Sequence, residues 1–210
     1  ITDELKHLLD RLRAVPLDRV KENVEHDLKR PVISMVSWID PNPLGSASIG
    51  QVHHARTVDG DDVVLKIVKP GNREILRRDT ILLNLLGRFL QTFLERFQPR
   101  KVLKEFTEYT LRELDLRREA DNAETFAANF RDRPDIVFPK IYREYSGRDV
   151  VTMEYFRGDK PNSEAAQALS ESDRDKLVDL GAEAIIRMLF RDGFFHADPH
   201  PGNLMILPGA

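Results

Sequence analysis

With 210 residues, of which 41% are hydrophobic and 32% charged, the chain can bury one good core or two small ones, which excludes a disordered chain. A formal net charge of −3, with Lys and Arg scattered among the acids, argues against a nucleic-acid partner. The absence of cysteine excludes disulfides and thiolate chemistry, and the most apolar segment, Ile81 to Phe97, is interrupted by Asn84, Arg88, Glu95 and Arg96, so it reads as a packed or amphipathic helix and not a membrane span.

In chain order, residues 3–13 and 17–30 have helical spacing, with Leu5, Leu8, Leu9 and Leu12 on one face, Pro16 between the segments and Asp18 placed to cap the second. Pro41 and Pro43 break the pattern. Residues 49–57 and 63–68 read as strands joined by the hairpin signal Val58-Asp59-Gly60-Asp61. Helices are expected over about 72–97 and 99–130, and strands over 136–145 and 150–155 around the turn Ser146-Gly147-Arg148. A polar linker, 159–172, then leads to a helix over 173–191.

The most informative stretch follows that helix: His196-Ala197-Asp198-Pro199-His200-Pro201-Gly202-Asn203. An Asp followed five positions later by an Asn, in a loop constrained by Pro and Gly, is the spacing of a phosphotransferase catalytic loop. There the Asp accepts the proton of, or orients, the attacking hydroxyl, and the Asn holds Mg²⁺. The bland alternative is a helix-to-strand loop rich in turn formers.

Four features bear on that choice. The run Gly45-Ser46-Ala47-Ser48-Ile49-Gly50 lets backbone N–H groups approach an anion, although a tightly packed strand approach would use the same residues. Lys66 interrupts the apolar strand Val63 to Val68; its alternation with Val64 and Val68 points it inward, where it needs a counter-charge. In a continuous helix Asp115 and Glu119 share a face and Glu113 does not, which makes Glu119 the candidate partner of Lys66; a solvated charged face is the competing account. Finally, Val150 to Tyr155 is an apolar strand running into Phe156-Arg157-Gly158, as expected of a hinge whose Met153, Glu154 and Tyr155 backbone meets adenine, or of any buried strand.

In that order these features resemble the UbiB or AarF-domain (ABC1-type) atypical kinases over nearly the whole chain. The carriers are Pro43 to His53, Val64 to Pro70, Glu113, Asp115 and Glu119, and Phe194 to Asn203. The resemblance implies an α+β, protein-kinase-like bilobal fold. Residues 1–40 would be a helical extension, 41–156 a β-rich N-lobe with helices inserted at about 72–130, and 157–210 the start of a helical C-lobe. It also implies a cofactor pair of ATP (or ADP) and Mg²⁺, kinase or ATPase activity, and a role in ubiquinone or related isoprenoid-quinone and lipid metabolism. Membrane lipid, a quinone precursor or quinone-biosynthesis proteins are the implied partners, in a cytoplasmic location peripheral to the inner membrane.

Residue by residue, Gly45 to Gly50 match the family's alanine-rich loop, with Gly45 where Ala is frequent. Lys66 matches the phosphate-contacting lysine and Glu119 its helix partner. Glu113 and Asp115 match the E-x-D pair of the helical extension over the active site. Asp198 matches the catalytic Asp and Asn203 the metal-binding Asn. The K-x-G-Q and D-F-G motifs are not within these residues, so a fragment inert by itself is expected. Three rivals stay open: a small-molecule phosphotransferase of the aminoglycoside or choline kinase type, a nucleotide-binding pseudokinase acting as a lipid chaperone, and a hydrolase with a metal on His196, Asp198 and His200.

Overall fold

A computed structural model of the protein describes residues 14–197 and 200–208. The first expected helix, over 3–13, and Asp198 lie outside the described residues. The chain divides into two compact units, Ile1–Asn122 with Lys140–Glu154, and Ala123–Pro139 with Tyr155–Ala210.

The first unit is built on an antiparallel sheet. Strands β1 (Val36–Ile39), β3 (Gly50–Thr57), β4 (Asp62–Val68) and β5 (Val150–Glu154) lie in that order, and β2 (Gly45–Ser46) also pairs with β3. The β3–β4 hairpin runs in register from Gly50↔Val68 to Arg56↔Asp62. Its tip turns at Gly60, whose φ of 96° suits a residue without Cβ. The Thr57 hydroxyl accepts a hydrogen bond from the Asp61 amide at 3.0 Å.

Period-2 alternation sorts the side chains between two faces. Gln51, His53, Ala55 and Thr57 of β3 share the closed face with Val63, Leu65 and Ile67 of β4, all fully buried. Helix α1 (Leu17–Leu28) lays Val20 and Val24, one turn apart, into this core beside Met35, Val36, Ile39, Tyr145 and Val150. Asp18 lies in the first turn of α1 and makes no cap; Pro16 occupies the N-cap position. The closed face contains polar groups with every partner supplied. Gln51 accepts from the Val15 amide at 2.8 Å and donates to the Val15 carbonyl at 3.1 Å and to His53 at 2.7 Å. The other ring nitrogen of His53 meets the Asp40 carbonyl at 2.8 Å.

Between β4 and β5 the chain makes a helical excursion of α2 (Asn72–Phe93), α3 (Pro99–Glu113) and α4 (Leu116–Asn129). The expected helix over 99–130 is therefore two helices. The break falls at Leu114-Asp115, where the Asp115 carboxylate accepts the Arg117 amide at 3.3 Å and caps α4. The expected strand over 136–145 is also corrected: only Ile141 bridges, to Met153, and Arg143–Tyr145 is a 3₁₀ turn. Apolar residues mark this segment because it packs, with Tyr145 in the core, and not because it carries a ladder.

In the second unit Phe126 stacks on Phe138 with ring centres 5.3 Å apart and meets Phe194 at 4.7 Å. Arg187 covers Phe130 at 4.7 Å and pairs with Asp132. The expected linker holds a short helix, α5 (Glu164–Gln167), capped by Ser163. Helix α6 (Glu171–Arg187) starts two residues early because the Ser170 hydroxyl accepts the Asp173 amide at 3.2 Å. It ends in a π-turn over Met188–Asp192, closed by Gly193 at φ 60°.

Candidate functional site

The small-residue run is a hairpin in its own right. Gly45 faces Val52 and Ser46 faces Gln51, and the Ala47 amide donates to the Gly50 carbonyl at 2.8 Å, leaving Ser48 and Ile49 at the tip. The tip is held from below. The Asn72 amide donates to the carbonyls of Ser48 and Ile49 at 2.9 and 3.0 Å, and the Lys69 amide also donates to Ile49 at 2.8 Å. Carbonyls are thus turned toward the protein. Asn72 was not among the residues singled out from sequence; its place after Pro70-Gly71 at a helix start was the available signal.

The two glycines differ in kind. A Cβ on Gly50 would stand 2.8 Å from the Ile67 carbonyl oxygen, whereas one on Gly45 would meet nothing within 4 Å. Gly50→Ala is expected to cost about 1–3 kcal/mol by forcing β3 and β4 apart. Gly45→Ala is expected to stay within about 0.5 kcal/mol. Thermal denaturation of both variants checks this; equal losses would mean that the β3–β4 approach is not the constraint.

Lys66 is on the face opposite the closed core, half-exposed, so the expectation of an inward lysine is corrected. Leu65 and Ile67 take the buried side, and Lys66 shares its face with the half-buried Val52 and Val64. Its counter-charge is present: Lys66 Nζ donates to Glu119 Oε2 at 2.6 Å. Register places Gly45, Val52, Lys66 and Val151 in one row across four strands. Gly45 is therefore two strand spacings, roughly 10 Å, from Lys66.

The break before α4 fixes where Glu119 stands. Leu114 and Leu116 are buried on either side of Asp115, and Ala120, one turn beyond Leu116, is completely buried. The Leu116 amide donates to the Arg148 carbonyl at 2.9 Å, which ties the start of α4 to the turn before β5. Arg73, almost wholly buried near the start of α2, donates to the Leu114 carbonyl at 2.8 Å and pairs with Asp149. Glu113 ends α3 and is exposed. Because Asp115 is outside the helix, the helical-face relation between Asp115 and Glu119 does not hold.

The Arg117 guanidinium binds both Asp115 oxygens, at 2.8 and 2.6 Å, and holds that carboxyl below its ordinary value, aided by Arg148. A depressed folded value means a contribution present at neutral pH and lost as pH falls below about 4 and through the folded pKa. Asp115→Asn should thus destabilise at pH 7, and the gap from the parent should close in acid. A gap unchanged at pH 3 would show that the carboxylate charge is not the cause.

Of the expected hinge residues, Met153 and Glu154 end β5 opposite Val64 and Val63, while Tyr155 belongs to the second unit. Asn203 closes a 3₁₀ turn, Pro201–Asn203, its amide donating to the His200 carbonyl at 2.8 Å. His200 Nδ1 accepts the Gly202 amide at 3.1 Å, so that nitrogen serves the loop. No group of three or more metal-ligating side chains occurs among the described residues.

Residues 7–209 match the ABC1 atypical kinase-like domain. The chain is 34% identical to the uncharacterized protein sll1770 of Synechocystis over 99% of its own length. It is 35% identical to the probable protein kinase UbiB of Cronobacter sakazakii over 98%, and 35% identical to the chloroplastic protein ACTIVITY OF BC1 COMPLEX KINASE 7 of Arabidopsis thaliana over 97%. It spans 36%, 39% and 30% of the respective lengths of these relatives. Among solved structures, Rv3197 of Mycobacterium tuberculosis, in a complex with erythromycin, superposes with a TM-score of 0.77 at 32% identity, covering 99% of this chain and 52% of that one. The likeness is to a kinase-like fold, and mixed helices with an antiparallel sheet agree with it. The chain belongs to the ABC1 atypical kinase-like family.

Proposed function

We propose that the chain supplies the nucleotide-binding part of an atypical kinase or ATPase that uses Mg-ATP and acts in ubiquinone or related isoprenoid-quinone and lipid metabolism. The observation that carries this reading is the Lys66–Glu119 pair, set across the sheet from a hairpin of small residues. An ammonium held by one carboxylate, half-exposed, has two donors left for phosphate oxygens. The open space over Gly45 suits an approaching anion, since no atom lies within 4 Å of where a Cβ would stand. Magnesium would be held by Asn203 together with phosphate oxygens, and it would offset charge developing on the transferred phosphoryl group. Asp198 would orient the acceptor hydroxyl or water. The UbiB relatives are named probable protein kinases, which supports the kinase reading, and the pathway follows from the family resemblance.

The test is a thermal-shift titration with Mg-ATP and Mg-ADP. At about a hundredfold excess over Kd, stabilisation should approach ~2.7 kcal/mol, or roughly 5–10 °C. In the whole protein, Asp198→Asn should keep that shift and lower phosphate release by about 10²–10⁴. Absence of a shift at millimolar nucleotide would remove the reading.

A further inference from the structure

The side chain that grips the tip of the small-residue hairpin belongs to a tight turn. Lys69, Pro70, Gly71 and Asn72 form a type II turn: the Asn72 backbone amide donates to the Lys69 carbonyl at 3.3 Å, and Gly71 takes φ 85° and ψ −18°. Pro70 fixes its own φ, so Asn72 is delivered to the start of α2 with little freedom. From there its side-chain amide reaches the carbonyls of Ser48 and Ile49, at 2.9 and 3.0 Å. The Ile49 carbonyl also accepts from the Lys69 amide. Only the nitrogen end of that side chain can donate, so two converging carbonyls settle which way it faces. The next residue, Arg73, is bound to the Leu114 carbonyl and to Asp149. The hairpin tip and, through the break before α4, Glu119 are therefore mounted on one turn.

A trans peptide unit sets its N–H antiparallel to its C=O. With the Ser48 and Ile49 carbonyls drawn to Asn72, the Ile49 and Gly50 amides of the same two units point the other way, away from the turn. Among the described residues the Ile49 amide meets no acceptor. Successive backbone N–H groups facing one way bind phosphate oxygens without help from a side chain. We propose that Asn72 is a positioning residue for the polyphosphate of the nucleotide, holding the hairpin tip so that the Ile49 and Gly50 amides face it. This rests on the nucleotide reading carried by Lys66 and Glu119. Asn72 touches no phosphate itself and acts through the two peptide units it holds. Its effect is thus confined to ligands that carry phosphates, and the nucleoside alone does not sense it.

Isothermal titration of the parent and of Asn72→Leu with Mg-ATP, Mg-ADP and adenosine tests this. Leucine is close to asparagine in size and removes both side-chain donors. Kd for the two nucleotides should rise about tenfold, the worth of one charge-assisted hydrogen bond, while that for adenosine stays within about twofold. Without any nucleotide, the heteronuclear NOE of the Ile49 and Gly50 amides should fall in the variant, because the tip has lost its clamp. Melting temperature should hardly change, since both bonds lie at the surface. Unchanged affinity for Mg-ATP, or an unchanged NOE, would overturn the proposal and leave the Lys66–Glu119 reading standing. An equal loss for adenosine would also overturn it, by making Asn72 a general support of the fold. No binding of Mg-ATP by the parent would remove the nucleotide reading and this proposal together.

Discussion

Lys66→Met is expected to weaken Mg-ATP binding by about 10–100-fold, the worth of one or two charge-assisted hydrogen bonds to phosphate. Glu119→Gln should weaken it by less, about 3–10-fold, because the ammonium remains but loses the partner 2.6 Å away that fixes its direction. The double variant should bind no worse than Lys66→Met alone. Titration of all four proteins closes a double-mutant cycle, and additive losses would show that the two residues act separately. Melting temperature should hardly change. Both side chains are more than a third exposed, and such a pair contributes at most about 1 kcal/mol to folding. A collapse of stability in either single variant would mean that the pair is structural.

Arg73 should behave in the opposite way. Its guanidinium is almost wholly buried, donates to the Leu114 carbonyl and pairs with Asp149. Arg73→Met would leave a buried carbonyl and a carboxylate without their donor, at an expected cost of about 2–4 kcal/mol. For a chain of this size that corresponds to a fall of roughly 5–15 °C. Arg73→Lys should recover little, since one ammonium cannot reproduce a fork that serves two acceptors. Thermal and urea denaturation measure the loss, and a change under about 0.5 kcal/mol would show that the break before α4 is held by other means. At a temperature where Arg73→Met stays folded, it should also weaken nucleotide binding through a misplaced Glu119.

The β3–β4 hairpin and β5 were legible because their signals are local, whereas β1 at Val36–Ile39 was not anticipated. Alternation in β3 and β4, the Asp-Gly turn between them and the apolar run of β5 each determine their own geometry. Lys66 and Glu119 could be paired in advance because a lysine in an apolar strand demands an acid and few candidates lay in a helix. The face on which Lys66 stands could not be read from its alternation with Val64 and Val68, since that pattern says which residues travel together and not which side the core takes. The break at Asp115 was hidden by continuous helical spacing on both sides, although an Asp followed by a helical run is a capping signal. Residues 136–145 resemble a strand in composition because Ile141 and Tyr145 are buried. Their backbone meets β5 only around Ile141, where the Tyr142 amide donates to the Thr152 carbonyl and the Glu154 amide to the Lys140 carbonyl, and turns take over on either side. The roles of Asn72 and Arg73 depend on partners remote in sequence, beyond the reach of any local pattern.

The ion pair between Arg73 and Asp149 also bears on how the chain is assembled. The α2–α3 hairpin leaves and returns beside Arg73, which holds both the Leu114 carbonyl and Asp149, so pairing such as Leu65↔Thr152 has to await closure of a long detour. A helical hairpin whose base is pinned can change length at its far tip for little free energy, because the tip lies far from the residues that hold the base. Insertions near Glu95–Phe97 should thus leave strand register intact, whereas a single residue added beside Gly71 or Asp149 should not.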